Sequence, residues 1–461
     1  MKGSVKYILI IAGIALCFLV GVALSFFVKP KNPSAENTHV ENSINLYKTA
    51  LQSFNVDILQ FSVTKDEKTT IGNTLYTLSS NSIVQIDQTD PTNPQYHIQT
   101  DLDMGNHRIT VDNYYMEGSF YITFPDAAFY STSGELNSSP IGIPVLNHEL
   151  YDKIVGIETD NGYQIEFSEA TSTENWIDPR FQLEYASGTV ILSSDGSLQS
   201  STYKATVKNE FLLLEITLTL TPQPATTAIN LPDKNWIRIN SLPDLLAPIF
   251  LEKSVGILVQ ANSICSSYRE EIYFEALGDK RTRSIDIQRD NSKPLSAKVI
   301  TETLIANDSR LDQPEKTVKT ECFCDEIYTI EKDAMGAVVD PSIDSDSMVT
   351  YINNLLISTV MLPKYIDNSS IVDNSSSIRY HFEGNEDFAQ FLCHNAGQQL
   401  YQDSNLLLDQ ANTDLLTCYL EIDALTMLPI ASGISYKASY QKEGLPYHLT
   451  YEVHQTYQYG S

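Results

Sequence analysis

The stretch Leu214-Glu215-Ile216-Thr217-Leu218-Thr219-Leu220-Thr221 decides the fold. Apolar and polar side chains alternate through it. Successive side chains of a strand point to opposite faces, so this run buries one face and wets the other. Such a strand belongs to an antiparallel sheet with one covered face. Just upstream lies Ser201-Thr202-Tyr203-Lys204-Ala205-Thr206-Val207. The pair has a counterpart near residue 440. There, Gly433-Ile434-Ser435-Tyr436-Lys437-Ala438-Ser439-Tyr440 shares Tyr-Lys-Ala followed by a hydroxyl residue, and Leu449-Thr450-Tyr451-Glu452-Val453-His454 repeats the alternation.

Two further matches keep the same order in both halves. Ile109-Thr110-Val111, a turn at Glu117-Gly118 and Phe120-Tyr121-Ile122-Thr123-Phe124 read as a hairpin. Thr317–Cys322 followed by Glu326–Ile330 answers it. Tyr163–Phe167 is answered by Ile378–Phe382. The ordered set predicts a duplicated β-rich unit.

Helical spacing interrupts the strands. Ile44, Tyr47, Leu51 and Phe54 form one apolar stripe. Leu245–Leu258, with Pro248 read in a first turn, plays that part in the second half. Pro144–Ile157, Ser347–Met361 and Glu386–Tyr401 also read as helices. Pro222 and Pro224 mark the boundary between halves. The predicted organisation is a tail at 1–6, a membrane anchor at 7–28 and a tether at 29–42. A first domain at 43–225, a linker at 226–242 and a second domain at 243–461 follow. The expected fold class is α+β: two tandem domains, each a curved antiparallel sheet, or half-open barrel, covered by helices.

Tyr7–Val28 holds 22 residues without a charge. A membrane-spanning helix needs about 20 apolar residues, whereas the apolar core of a signal peptide is about 7–15 residues. Lys2 and Lys6 flank it on one side, Lys29 and Lys31 on the other. The segment reads as a retained single-pass anchor that places residues 32–461 outside the cytoplasm, with cleavage at Ala23-Leu24-Ser25 as the alternative. The net charge of -28 argues against nucleic acid, whose phosphates need a basic face. With 42% hydrophobic residues, 26 Tyr and 17 Phe, the chain can build real cores and is not of disordered composition.

No cysteine falls between Cys17 and Cys265. Cys265, Cys322, Cys324, Cys393 and Cys418 are the disulfide candidates, an odd number. Cys322 and Cys324 share a strand face at about 6.5–7 Å, at or past the reach of a direct bridge. They could pair elsewhere or stay reduced. No pattern for a metal or cofactor stands out. Asp340, Asp344 and Asp346 lack the order of a calcium loop. Ser201-Thr202-Tyr203-Lys204 has the spacing of a serine–lysine acylation motif, but on a strand the two side chains point to opposite faces. The expectation is therefore no enzyme, no metal and no cofactor.

Glu421-Ile422-Asp423-Ala424-Leu425-Thr426-Met427-Leu428-Pro429, the opening helix-then-strand and the Tyr-rich hairpin Tyr114–Phe124 together resemble the LolA-like lipoprotein-carrier superfamily, with its LppX/LprG relatives. The first half departs from that motif with Ser193-Ser194-Asp195-Gly196-Ser197-Leu198. The resemblance spans about residues 40–460 in two copies. It implies a half-open antiparallel sheet closed by helices over an apolar cavity, and binding of a lipid, lipoprotein or other apolar ligand without catalysis. Beside it, the alternation makes Ile109, Val111, Phe120, Ile122 and Phe124 the candidate ligand-lining residues; packing against the helices is the alternative for each. The expected partners are the membrane through Tyr7–Val28, the apolar ligand and an envelope protein. The alternative function is a cell-envelope structural or protein-interaction module without a ligand cavity.

Overall fold

The computed structural model describes residues 35–460 apart from 53–56, 73, 91–92, 106, 133–148, 150, 171–181, 225–227, 276–278, 291–297, 308–314, 324–326, 333–337, 345–347, 375, 402–410 and 443–444. The chain divides into two compact units, Met1–Leu246 and Ala247–Ser461.

The first unit opens with helix α1 (Ala35–Gln52), which begins inside the span read as a tether. It continues through β1 (Ile58–Ile71), β2 (Thr74–Asp87), β3 (Gln95–Met104), β4 (His107–Met116), β5 (Ser119–Phe124) and β6 (Ala127–Ser131). Then come β7 (Tyr151–Thr159), β8 (Gly162–Ala170), β9 (Gln182–Ser193), β10 (Leu198–Lys208), β11 (Leu212–Gln223) and the short β12 (Ile237–Arg238). These strands form one 12-stranded sheet in the order β12-β6-β5-β4-β3-β2-β1-β11-β10-β9-β8-β7. All pairings are antiparallel except β12 with β6, where Ile237 stands opposite Phe129. The chain therefore starts in the middle of the sheet and fans out to one edge. It resumes at the opposite edge and returns until β11 closes on β1.

The core of this unit follows from alternation. Leu59, Phe61 and Val63 on β1 point to the same face as Val84, Ile86, Tyr96 and Ile98 on β2 and β3. Ile165, Phe167, Val190, Leu192, Tyr203, Leu218 and Leu220 continue that buried face. Helix α1 seals it: Tyr47 packs edge-on against Phe167 at 5.6 Å between ring centroids, and Tyr151 meets the same ring at 5.8 Å. Among the described side chains of α1, Ser43, Tyr47 and Ala50 are buried, spaced at four and three residues as a helix stripe requires.

Helix α2 (Leu242–Gln260) begins just before the division and carries the chain into the second unit, followed by β13 (Ser263–Phe274), β14 (Asp279–Asp290), β15 (Lys298–Asn307), β16 (Glu315–Phe323), β17 (Ile327–Lys332) and β18 (Val338–Asp344). Helix α3 (Met348–Ile357) and a 3-10 turn at Pro363–Tyr365 lead to β19 (Ile366–Asn374) and β20 (Ser377–Gly384). Helix α4 (Glu386–Tyr401) precedes β21 (Ala411–Asp423), β22 (Pro429–Lys442) and β23 (Leu445–Tyr459). The sheet order is β18-β17-β16-β15-β14-β13-β23-β22-β21-β20-β19. Shifted by twelve, this is the order of β1 to β11 in the first unit. The sequence matches fall on equivalent strands: β4–β5 on β16–β17, β8 on β20, β10 on β22 and β11 on β23.

Three expectations need correction. The fold class is mostly β, with two large sheets, rather than α+β. Part of the reason is local. Pro144–Ile157 reads as a helix through Tyr151, Ile154 and Ile157, but Tyr151–Thr159 is an edge strand paired with β8. Val155-Gly156-Ile157 joins two β-branched residues to a glycine, poor helix formers that a strand accommodates. The single-pass membrane location is also corrected to what the described residues show: no helix among them is long and apolar enough to cross a membrane. Residues 7–28 lie outside the described residues. Finally, α2 starts at Leu242, behind Ser241, whose hydroxyl accepts from the Asp244 N–H at 3.3 Å. Pro248 is thus inside the helix, where it removes one backbone hydrogen bond.

Candidate functional site

The register of β1 to β6 assembles one continuous inner face. Leu59, Ile86, Tyr96, Tyr115, Phe120 and Ser131 stand opposite one another across six strands. The next row holds Phe61, Val84, Ile98, Asn113, Ile122 and Phe129. The row after it holds Val63, Ser82, Thr100 and Val111. Directly opposed residues of an antiparallel pair share a face. All five lining candidates therefore lie on this face, which is also the face α1 covers.

They differ in burial. Val111 and Ile122 are 2% exposed and Phe124 is 4% exposed, so protein atoms already enclose them. Phe124 meets Phe129 edge-on at 6.3 Å. Ile109 and Phe120 are only half-buried. Phe120 joins a short aromatic series: its ring lies 4.9 Å from Tyr115, and Tyr115 lies 5.9 Å from Tyr96. Tyr115 is half-buried beside the closed core. On β4 and β5 this face is thus half-buried at Ile109 at one end and at Tyr115 and Phe120 at the other, with Val111 and Ile122 enclosed between them.

Polar groups enter the same face lower down. Lys65 and Glu67 of β1 are 4% and 6% exposed and form an ion pair. Lys65 stands opposite Ser80, Ser80 opposite Leu102, and Leu102 opposite Ile109. Ser82 and Thr100 share a buried hydrogen bond of 2.9 Å. Sequence reading missed this pair because charge usually marks the wet face. The available signal was phase: Lys65 and Glu67 continue the frame of Leu59, Phe61 and Val63.

The outer face is different in kind. His97 stacks on Tyr114 at 4.3 Å and 4° between planes, and its Nε2 lies 2.9 Å from Asp112. Burial, then the Asp112 charge, pushes the Tyr114 phenol up to about 12.

The second unit also buries polar groups on its inner face. Glu270, 1% exposed, accepts hydrogen bonds from Tyr451 at 2.7 Å and Tyr268 at 3.2 Å. Burial and the nearby carboxylate hold both phenols well above their ordinary range. Arg289 donates to the carbonyls of Leu258 and Ala261, both at 2.6 Å, tying the end of α2 to β14. Thr359 donates to Gln455 at 2.9 Å.

Of the cysteines, Cys265 is an exposed and Cys418 a buried free thiol. Cys393 is buried and hydrogen-bonds with Tyr436; burial raises its pKa, and that of Cys418. The side chain of Cys322 and all of Cys324 lie outside the described residues, as does Asp346.

No family model matches the chain, and no curated protein matches it. Solved structures give faint likenesses. A DUF1329 family protein from Desulfovibrio piger is 11% identical with a TM-score of 0.20, over 41% of this chain and 95% of that one. An AttH-type protein from Nitrosomonas europaea is 9% identical with a TM-score of 0.16, over 94% and 99%. The translocator domain of the autotransporter NalP from Neisseria meningitidis is 7% identical with a TM-score of 0.11, over 92% and 97%. At these scores none of the three supports an inference of fold or function.

Proposed function

We propose that the protein is a non-catalytic binding protein for an apolar or amphipathic ligand such as a lipid, held against the inner face of the first sheet. The observation that carries this reading is the half-buried aromatic pair Tyr115 and Phe120, joined through Tyr96 to a closed core. A folded sheet gains by burying such surface at roughly 25 cal/mol per Å²; aromatic area left accessible on a mostly apolar face is surface that an apolar ligand can cover. The resemblance to LolA-like carriers supports the same reading.

Native mass spectrometry of the purified chain, followed by organic extraction, tests it. The expected result is an added mass that extracts as lipid and is lost in Phe120→Asp. A protein that stays apo after incubation with mixed membrane lipids would sink the proposal.

A second reading, an interaction module, draws on a different observation. Tyr365, Phe388 and Phe391 stack within 4.9–6.3 Å of one another, and Phe391 is 48% exposed. Crosslinking that captures one partner through this stack, with no lipid bound, would favour that reading.

A further inference from the structure

One aromatic side chain of α4 lies outside the helix's buried stripe. Phe388, Ala389, Leu392, Cys393 and Ala396 are buried, at the spacing a helix turns toward a core. Phe391 is off that stripe and nearly half exposed. It stands one turn after the exposed Asp387, so the two are neighbours on the helix surface.

The surroundings of Phe391 are fixed in advance. Asn385 caps the helix: its Oδ1 accepts from the Phe388 N–H at 3.1 Å. Its Nδ2 donates to the Lys364 carbonyl at 2.8 Å, and its backbone N–H donates to the Tyr365 carbonyl at 2.8 Å. These bonds pin the turn Pro363–Tyr365 to the start of α4 and hold Tyr365 against Phe388 and Phe391. An aromatic group ordered beforehand loses less entropy when a partner covers it. The stack already takes one cation from its own chain: the Lys364 Nζ lies 4.9 Å from the centre of the Tyr365 ring.

The rim of the stack is acidic. Asp367 of β19, Glu383 of β20, and Glu386 and Asp387 of α4 are all exposed. None of the four is in an ion pair among the described residues. Burial and the Glu383 charge push the Asp367 carboxyl up, as happens when carboxylates gather without a cation between them. Glu386 and Asp387 also suit a helix N-terminus, but Asp367 and Glu383 lie on strands.

Charge decides what such a surface takes. Nucleic acid and anionic membranes are repelled by the rim. A second copy would bring the same four carboxylates and a further net charge of -28. Arginine fits both parts: its guanidinium stacks on an aromatic face and donates two parallel hydrogen bonds to a carboxylate.

We propose that the stack of Tyr365, Phe388 and Phe391, with its acidic rim, docks an arginine-bearing basic segment of another protein. This rests on the interaction reading of the same stack and is independent of the lipid site. Phe391 is the anchor, and Asp367, Glu383, Glu386 and Asp387 receive the guanidinium groups.

The test pans a phage-displayed library of random 12-residue peptides against the full-length protein, after depletion on Phe391→Ser. Depletion removes peptides held by net charge alone. The enriched peptides are expected to be basic and to carry arginine. Fluorescence polarisation of the best synthetic peptide then reads its affinity. Phe391→Ser is expected to weaken it about tenfold or more, as loss of a central anchor does. Glu386→Gln with Asp387→Asn should weaken it about fivefold, the scale of two exposed ion pairs, and replacing the peptide's arginines by lysine should weaken it as well. If Phe391→Ser does not fold, the double rim variant serves for depletion. Enriched peptides that are neutral or acidic, or an affinity unmoved by the rim variant, would overturn the partner's chemistry alone. No peptide that prefers the wild type to the depletion variant would overturn the docking surface, and the interaction reading with it.

Discussion

Two aspartates show how single side chains shape each unit. Asp423 lies at the end of β21, in the run that resembles the carrier-family turn. Its Oδ1 accepts from the N–H groups of Leu425 and Thr426, at 3.0 and 2.7 Å, and from the Thr426 hydroxyl at 2.9 Å. Asp195 does the same work in the equivalent β9–β10 turn, accepting from the Ser197 N–H at 3.0 Å and its hydroxyl at 2.7 Å. The first half departs from the motif in letters and keeps its chemistry. Hydrogen bonds from the Ser193 and Ser197 side chains and from the Ser197 backbone hold the Asp195 carboxyl down at about 2. Asp423→Ala is expected to lower stability by about 1–2 kcal/mol, as loss of hydrogen bonds to a charged group should, read as a shift in urea midpoint at constant slope. Gly196 has φ +84° with open space around it, so Gly196→Ala costs about 1 kcal/mol through the backbone alone. Glu421 illustrates a pH dependence. Desolvation raises its pKa, but hydrogen bonds from Ser377 and Arg379 and the Arg379 charge outweigh it, and the carboxyl sits below its usual value. A depressed folded pKa contributes stability above the unfolded carboxylate pKa, and that contribution is lost as pH falls through the folded one. Acid titration of Glu421→Gln should therefore lose part of the wild-type slope below about pH 4; an unchanged slope would contradict the assignment.

At the scale of elements, the contact between α1 and β7 is unusually close. A Cβ placed on Gly156 would meet the Ser43 hydroxyl oxygen at 2.0 Å. Gly156→Ala should push helix and strand apart and cost about 1–3 kcal/mol, as overpacking does. Adding Ser43→Ala removes the closest atom and should recover part of that loss; thermal midpoints of the single and double variants decide it. Truncating the plug itself is costlier. Tyr47→Ala empties the space beside Phe167 and should cost about 3–5 kcal/mol. The strands were legible because their alternation is long and regular, as in β11 and β23. Helices α3 and α4 were legible from apolar spacing. The strand β7 was not: its apolar residues fall at spacings of three, and only its pairing with β8 makes it a strand. The face that carries the lining candidates was legible to the same extent. Period two places Ile109, Val111, Phe120, Ile122 and Phe124 on one face, but it is silent on which of them the core encloses. That depends on rows formed with β2, β3 and β6, which no local pattern contains.

At the scale of the molecule, each unit is closed by its most distant parts. Asp66 on β1 pairs with Thr217 on β11, and Glu270 on β13 pairs with Val453 on β23. Loop closure must precede the contacts that reward it, so sheets of this topology fold slowly. Refolding from urea is expected in the range of milliseconds to seconds or slower, and stopped-flow fluorescence of Trp236, which meets Tyr121 at 5.1 Å, would follow the first unit. The same topology sets a schedule for synthesis. While the ribosome makes residues 72 to 211, β1 is a finished strand with one side unpaired, in the centre of the future sheet. At about 5–20 residues per second, that interval lasts on the order of ten seconds. During it, the free side of β1 can be taken by any other unpaired strand, including the same strand of a neighbouring nascent chain. Crowding of ribosomes on one message is then expected to lower the share of chains that reach the native state.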